Sequence, residues 1–301
     1  MIIAVLFSSC SRRTSGAVFE PATGMASVSA LCTQVENYSF PDNRTFVSVL
    51  DQGDVAITDF KTGNFSVVEN GLPTVVTEAK KVNNAADILY TVIVIDQSGS
   101  MGSDLNDAKT AAIAYVNAMG ANDYAEVILF SDVVLLKQTF TNDKALLIAA
   151  INDTVYGPAT AFYDAVVTGV HELNARVGRK TVLALTDGYD NASIETEATT
   201  IIETNKGGIA CFTVGLNPPA GGFSNLTNIA NLTGGKSYQT STPSELTGIF
   251  QKVLYRMQNL MEVHFRSRIG EVKKDDNTRE MTVYLNFGPA LSTSCKKTYG
   301  Y

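Results

Sequence analysis

The spacing of apolar positions changes twice along the chain. From 41 to about 84, apolar residues alternate with polar ones in short runs broken by turns. One such run, "FVSVLDQGDVAI", predicts a turn at Asp51 to Asp54. In "NFSVVENGLPTVV", Phe65 and Val67 alternate with polar neighbours ahead of Asn70-Gly71. An Asn-Gly pair between alternating runs is the strongest short hairpin signal, because the tight turn needs positive φ at both positions. After 85 the runs lengthen into continuous apolar stretches at 88–95, 125–130, 133–138, 180–186 and 209–215, with a short one near 236–239. Strands of that kind, alternating with amphipathic helices, belong to a parallel sheet covered on both faces. Ala108, Ala112, Tyr115 and Met119 fall on one helical face that stops at Gly120, and Phe162, Val166, Val170 and Leu173 do the same further on. Only "SD" joins 125–130 to 133–138, which predicts an antiparallel excursion at a sheet edge. A last helix spans roughly 243–259.

Beyond it the alternating texture returns, with Met261, Val263 and Phe265 and then Met281, Val283, Leu285 and Phe287. The charged "KKDDNTRE" between the two runs reads as a solvated loop. Strands at both ends of an α/β block predict one small β-sandwich into which the block is inserted, since neither end buries enough to stand alone. The expected architecture is α/β: a doubly wound, mostly parallel six-stranded sheet inserted in a small β-sandwich made by the N- and C-terminal segments. The expected divisions are 11–40 as a tether, 41–85 and 259–301 as the two parts of the sandwich with a tail, and 86–258 as the α/β domain.

Composition narrows the function classes. An apolar fraction of 45% and a charged fraction of 18% belong to a folded globular chain rather than a disordered one. The net charge of −7 leaves no basic footprint for nucleic acid or an anionic membrane surface. "MIIAVLFSSC" at 1–10 is too short to span a bilayer, which takes ~20 apolar residues. It is similar to the end of a bacterial lipoprotein signal, with small Ser8 and Ser9 before Cys10, the residue that would carry lipid. It departs from that pattern in having no Lys or Arg before the apolar run. The expected location is therefore the envelope of a bacterium, lipid-anchored at the outer membrane or cell surface. Of the other cysteines, Cys211 lies inside an apolar run and reads as an inert core thiol. Cys32 and Cys295 are candidates for a disulfide in an oxidising compartment, although the sequence sets no distance between them. No Cys spacing of the zinc or iron–sulfur type occurs.

Three segments carry oxygen ligands: "DQSGS" after the first long strand, "GPATAFYDA" before the second long helix, and "LALTDGYDN" at the end of strand 180–186. Ligands of open parallel sheets gather at the carboxyl ends of the strands. Asp96, Ser98, Ser100, Thr160 and Asp187 are thus expected to converge. Carboxylates and hydroxyls without sulfur or imidazole suit a hard cation, Mg²⁺ or else Mn²⁺ or Ca²⁺. The competing reading is that these residues only cap helices, with Ser103 and Thr160 as N-caps. Gly99 is expected to allow close backbone approach and Gly188 to ease the turn after Asp187. Asp190 is expected to face solvent rather than bind a second cation nearby, and Asp164 to be structural.

The three motifs, in this order, resemble the metal-ion-dependent adhesion site of the von Willebrand factor type A domain family, over about residues 86–258. "DQSGSM" is the complete first motif, Thr160 precedes "FYDA", and Asp187 precedes Gly188. The resemblance implies a Rossmann-like fold and a metal bound through Ser98, Ser100 and Thr160. Asp96 and Asp187 would bind directly or through water, leaving one position for an acidic side chain of a protein partner. Pro158-Ala159 stands where a Gly-rich loop is common.

An enzyme would need a nucleophile or base near that metal. The haloacid-dehalogenase pattern would want an acid where Ser98 stands. His171 lies eleven residues past Thr160, about 16 Å along the helix, and His264 falls in the C-terminal strands. No GxSxG, Walker or HExxH motif is present. The expected function is a non-enzymatic, metal-dependent protein-binding or adhesion module of the cell envelope, with no small-molecule substrate. The alternative is a co-subunit of a larger enzyme or transport assembly, as in magnesium-chelatase-like systems. A phosphatase ranks third. Partner specificity is expected in loops 187–193 and 216–224.

Overall fold

The computed structural model describes residues 27–39, 41–268, 278–287 and 291–300. The signal-like segment with Cys10 lies outside the described residues. The described residues open with β1 (Val28–Ser39) and β2 (Asp42–Asp51), then β3 (Phe65–Glu69), β4 (Leu72–Pro73) and β5 (Val75–Lys81). An α/β head follows: β6 (Leu89–Asp96), α1 (Leu105–Ala118), β7 (Tyr124–Phe130), β8 (Val134–Thr141), α2 (Lys144–Asn152), α3 (Phe162–Asn174) and β9 (Arg179–Thr186). It continues through α4 (Glu197–Lys206), β10 (Ala210–Leu216), α5 (Ser224–Leu232), β11 (Ser237–Thr240) and α6 (Leu246–Gln258). The chain returns through β12 (Leu260–Arg266), β13 (Thr278–Asn286) and β14 (Ser292–Gly300).

The head has one six-stranded sheet in the order β11-β10-β9-β6-β7-β8, parallel except for the β7–β8 pair at its edge. Its central strand β6 carries Val92, Ile93, Val94 and Ile95, all fully buried, so helices must cover both faces. One apolar cluster joins that sheet to α1, α2 and α6, and the other joins it to α3 and α5. The helical face Phe162, Val166, Val170 and Leu173 is fully buried in the second cluster. Both layers follow from strand runs that are apolar on every position rather than every other one.

The terminal segments form two four-stranded sheets, ordered β1-β2-β12-β5 and β14-β13-β3-β4. Alternate residues of both sheets, among them Val47, Val49, Val263, Phe65, Met281 and Val283, share one apolar cluster. The hairpin at Asn70-Gly71 has φ of 46° and 79°, the double positive turn that the Asn-Gly pair favours. The head is thus inserted between β5 and β12, and only Asn259 separates α6 from the returning strand.

Two readings of the terminal segments are corrected. The tether of 11–40 contains β1, whose Cys32 and Val35 are buried against the sandwich core. Its alternation is masked in sequence by Thr33 and Gln34, polar residues that are also fully buried. Gln34 is satisfied by the head: its amide donates to Gly178 O at 2.9 Å and its oxygen accepts from Lys180 N at 2.7 Å. The tail holds β14, where Cys295, Lys297 and Tyr299 face inward. A lysine on the buried face hides that strand from any apolar pattern; its ammonium donates to Ile209 O and Thr233 O of the head. "KKDDNTRE" overlaps the start of β13, where Arg279 pairs with buried Glu69 at 3.1 Å.

Head and sandwich meet closely. Gly208 has φ of +63°, and a Cβ there would stand 2.6 Å from Val35 O. Arg256 of α6 donates to Ser48 Oγ of β2 at 3.2 Å. Cys32 of β1 and Cys295 of β14 form a disulfide that ties the two sheets together, and Cys211 is a buried free thiol. Among the described residues no helix is long and apolar enough to cross a membrane. Replacing Cys32 and Cys295 together by serine is expected to cost about 2–5 kcal/mol of stability, read as a lower midpoint in urea. An unchanged midpoint would mean that packing alone closes the sandwich.

Candidate metal centre

Sheet order sets the site. Asp96 ends the central strand β6, its neighbour β9 ends at Thr186, and Asp187 follows directly. Thr160 lies just before α3. Asp96 has no exposed surface; its Oδ1 accepts from Ser98 N at 2.7 Å and its Oδ2 from Thr186 Oγ1 at 2.6 Å. In front of it the hydroxyls of Ser98 and Ser100 lie 3.0 Å apart, and Ser100 donates to Asp187 Oδ1 at 2.7 Å. A Cβ on Gly188 would stand 3.6 Å from Thr160 Oγ1 and 3.9 Å from Ser100 Oγ. All five expected residues therefore meet at the carboxyl edge of the sheet.

Hydrogen bonding shows which of these residues cap helices. The N-cap of α3 is Ala161, and the Tyr163 N–H is taken by Asp190 Oδ2 at 2.9 Å, so the Thr160 hydroxyl does no capping. Ser98 precedes the 3₁₀ turn at 99–104 but makes no side-chain cap bond; its hydroxyl turns to Ser100. The N-cap of α1 is Asp104, not Ser103.

The expectation that Asp190 faces solvent is corrected, because its carboxylate also accepts from Ser193 N at 3.1 Å and Ser193 Oγ at 2.6 Å. Asp164 accepts from Ile194 N at 3.1 Å and Glu195 N at 2.8 Å, and Asn191 Oδ1 accepts from Thr160 N at 2.8 Å. Together they fasten the 187–195 loop to the start of α3 and fix Thr160 opposite Asp187. Gly99 has open space where a Cβ would be, so close approach is not its role. At Gly188 the missing side chain keeps the hydroxyls uncovered.

Thr186 and Asn191 are the positioning residues that sequence reasoning missed. Each acts on a neighbour brought close only by sheet order or loop folding, and no local motif marks them. Neither histidine joins the site: His171 Nε2 lies 3.8 Å from Glu203 on the α3–α4 side, and His264 Nε2 lies 2.7 Å from Glu262 on β12.

Burial pushes the Asp96 carboxyl up to about 6, against the pull of its bonds from Thr186 and Ser98. Burial also raises Asp187, opposed by Ser100. Among the described residues neither acid has a basic side chain in ion-pair range, and nowhere do three His, Cys, Asp or Glu side chains gather as a metal cluster. The donor set fits a hard divalent cation: two carboxylates that a positive charge would relieve, and three hydroxyls.

Residues 91–189 match the family model described as von Willebrand factor type A domain. No curated protein matches the chain. Among solved structures, a von Willebrand factor type A protein from Catenulispora acidiphila aligns with TM-score 0.53 at 10% identity, over 91% of this chain and 73% of that one. Proximal thread matrix protein 1 from the mussel byssus aligns with TM-score 0.53 at 20% identity, over 63% of this chain and 51% of that one. Its form with a zinc-occupied MIDAS motif gives TM-score 0.50 at 20% identity, over 62% and 49%. The alignment thus spans about half of the mussel protein, and these likenesses bear on the fold.

Thr186→Val removes one of the two donors to Asp96 while keeping the side-chain shape. It is expected to weaken Mn²⁺ binding roughly tenfold or more, measured by calorimetry on folded protein. Equal affinity would remove Thr186 from the site.

Proposed function

We propose that the chain is a non-enzymatic binding module that captures an acidic residue of a partner protein through a divalent cation. Asp96, Ser98, Ser100, Thr160 and Asp187 would hold the ion. The observation that carries this reading is their convergence as three neutral hydroxyls with only two carboxylates. A cation held mainly by hydroxyls keeps positive charge to offer an outside carboxylate. The protein's own residues do the rest: Thr186 holds Asp96 in place, the Ser100–Asp187 bond joins the two motifs, and the Asp190–Ser193 and Asp164 contacts keep Thr160 opposite them.

Mg²⁺ is the expected ion, with Mn²⁺ or Ca²⁺ suited by the same oxygens; zinc in the mussel protein's motif supports a divalent ion of some kind. Around the site Tyr156 is 84% exposed and Ile194 93% exposed, and such apolar side chains suit contact with a protein surface. The Cys32–Cys295 bridge suits an oxidising compartment, which supports the cell-envelope location proposed with a lipid anchor at Cys10.

Calorimetric titration with Mn²⁺ and Mg²⁺ tests the reading. Saturable binding is expected in the wild type and is lost in Ser98→Ala and Asp187→Ala, both of which stay folded. Folded wild type that binds neither ion would sink the proposal.

A further inference from the structure

A groove of about 410 Å³ opens beside the metal centre, walled by β8, α3 and the loop that leads into α4. It runs down the head from the carboxyl edge of the sheet. β7 is parallel to the central strand and ends at that edge, so β8, antiparallel to β7, starts there. Helix α3 starts there too, directly after Thr160 and Ala161. From Ala161 to His171, both in the groove wall, the rise is about 15 Å, roughly the span of four or five extended residues. β8 ends the sheet order, so its outer edge pairs with no strand among the described residues.

The lining is apolar and acidic. Val134 packs against the cluster around α3, Val167 is buried, and Ile194 on the loop is exposed. Further along β8, Leu135 and Leu136 are exposed as well. The charged lining is Asp132, Asp164, Glu195 and His171, with no Lys or Arg. Asp164 is occupied by the Ile194 and Glu195 N–H groups, and His171 faces Glu203 at 3.8 Å. Asp132 is exposed and accepts from Ser131 Oγ at 3.0 Å. Neither it nor Glu195 lies in ion-pair range of a base among the described residues. Lys137, the one charged side chain of β8, is held by Asp153 at 2.6 Å.

Charge selects the occupant. The open edge and apolar side chains alone would suit any extended segment, a second copy of the chain included. Pairing β8 with the β8 of a second copy would bring two acidic grooves together with no base to offset them, in a chain whose net charge is already −7. An acidic segment would meet the same two uncompensated carboxylates. We propose that the groove seats an extended segment of a partner protein that carries both apolar and basic side chains. Its apolar groups meet Val134, Val167 and Ile194, its lysines or arginines meet Asp132 and Glu195, and its backbone follows the β8 edge. The proposal rests on the metal reading only in placing that partner's acidic residue at the adjoining cation.

The test follows a labelled, end-blocked Lys-Leu-Lys-Leu-Lys peptide by fluorescence anisotropy on the full chain at low salt. Saturable binding is expected with a chelator present, so a failed metal reading leaves this readout intact. Asp132→Asn combined with Glu195→Gln weakens it roughly tenfold. Asp59→Asn combined with Glu280→Gln, exposed acids of the sandwich segments, removes the same charge and leaves binding unchanged. Ile194→Ser weakens it, and so does replacing the peptide's leucines by serine. Four results would overturn the proposal. They are no saturable binding, unchanged binding in the folded groove variant, equal binding of a Glu-Leu-Glu-Leu-Glu peptide, or a dimer in sedimentation that excludes the peptide. The last, relieved by Leu136→Lys, would assign the groove to a second copy.

Discussion

Asp96 ends the central strand of the head with none of its surface exposed. Burying a carboxylate is costly unless it is hydrogen-bonded and its charge is met, and the surroundings of Asp96 follow from that constraint. Ser98 N and Thr186 Oγ1 each satisfy one oxygen, which fixes the first motif against the end of β9. The Ser98 and Ser100 hydroxyls then sit together at a strand end that cannot shift without breaking both bonds. Asp187 reaches Ser100 because β9 neighbours β6. A cation at this point would supply the charge that hydrogen bonds alone leave unmet.

The sandwich sets the other end of the molecule. The head enters after β5 and leaves into β12, so its lower rim lies against β1 and β14. Gln34 reaches the β9 start, Lys297 reaches carbonyls near β10 and α5, and Arg256 ties α6 to β2. These contacts bury polar groups, which specifies one seating of head on sandwich more sharply than apolar packing would. The carboxyl edge of the sheet is left facing away from the mount.

Apolar patterning made the head legible. The expected strands match the observed ones within a few residues, since runs such as "YTVIVID" are apolar on both faces, and the antiparallel β7–β8 edge followed from a connection too short for a crossover. The helices α2, α4 and α5 were not placed; α4, rich in Thr and Glu, has few apolar residues to mark a face. The strands β1 and β14 were hidden for a related reason, because Gln34 and Lys297 are buried through partners distant in sequence. The five oxygen-bearing residues that converge at the sheet edge were marked by local motifs. The role of Asp190 was not, since it depends on the 187–195 loop folding back onto α3.

The most direct test of the central claim is anomalous diffraction from crystals soaked in Mn²⁺. The account predicts one strong peak bounded by the hydroxyls of Ser98, Ser100 and Thr160, with the Ser100–Asp187 contact rearranged around it. A well-ordered site with no peak there, while Mn²⁺ binds elsewhere on the molecule, would contradict it.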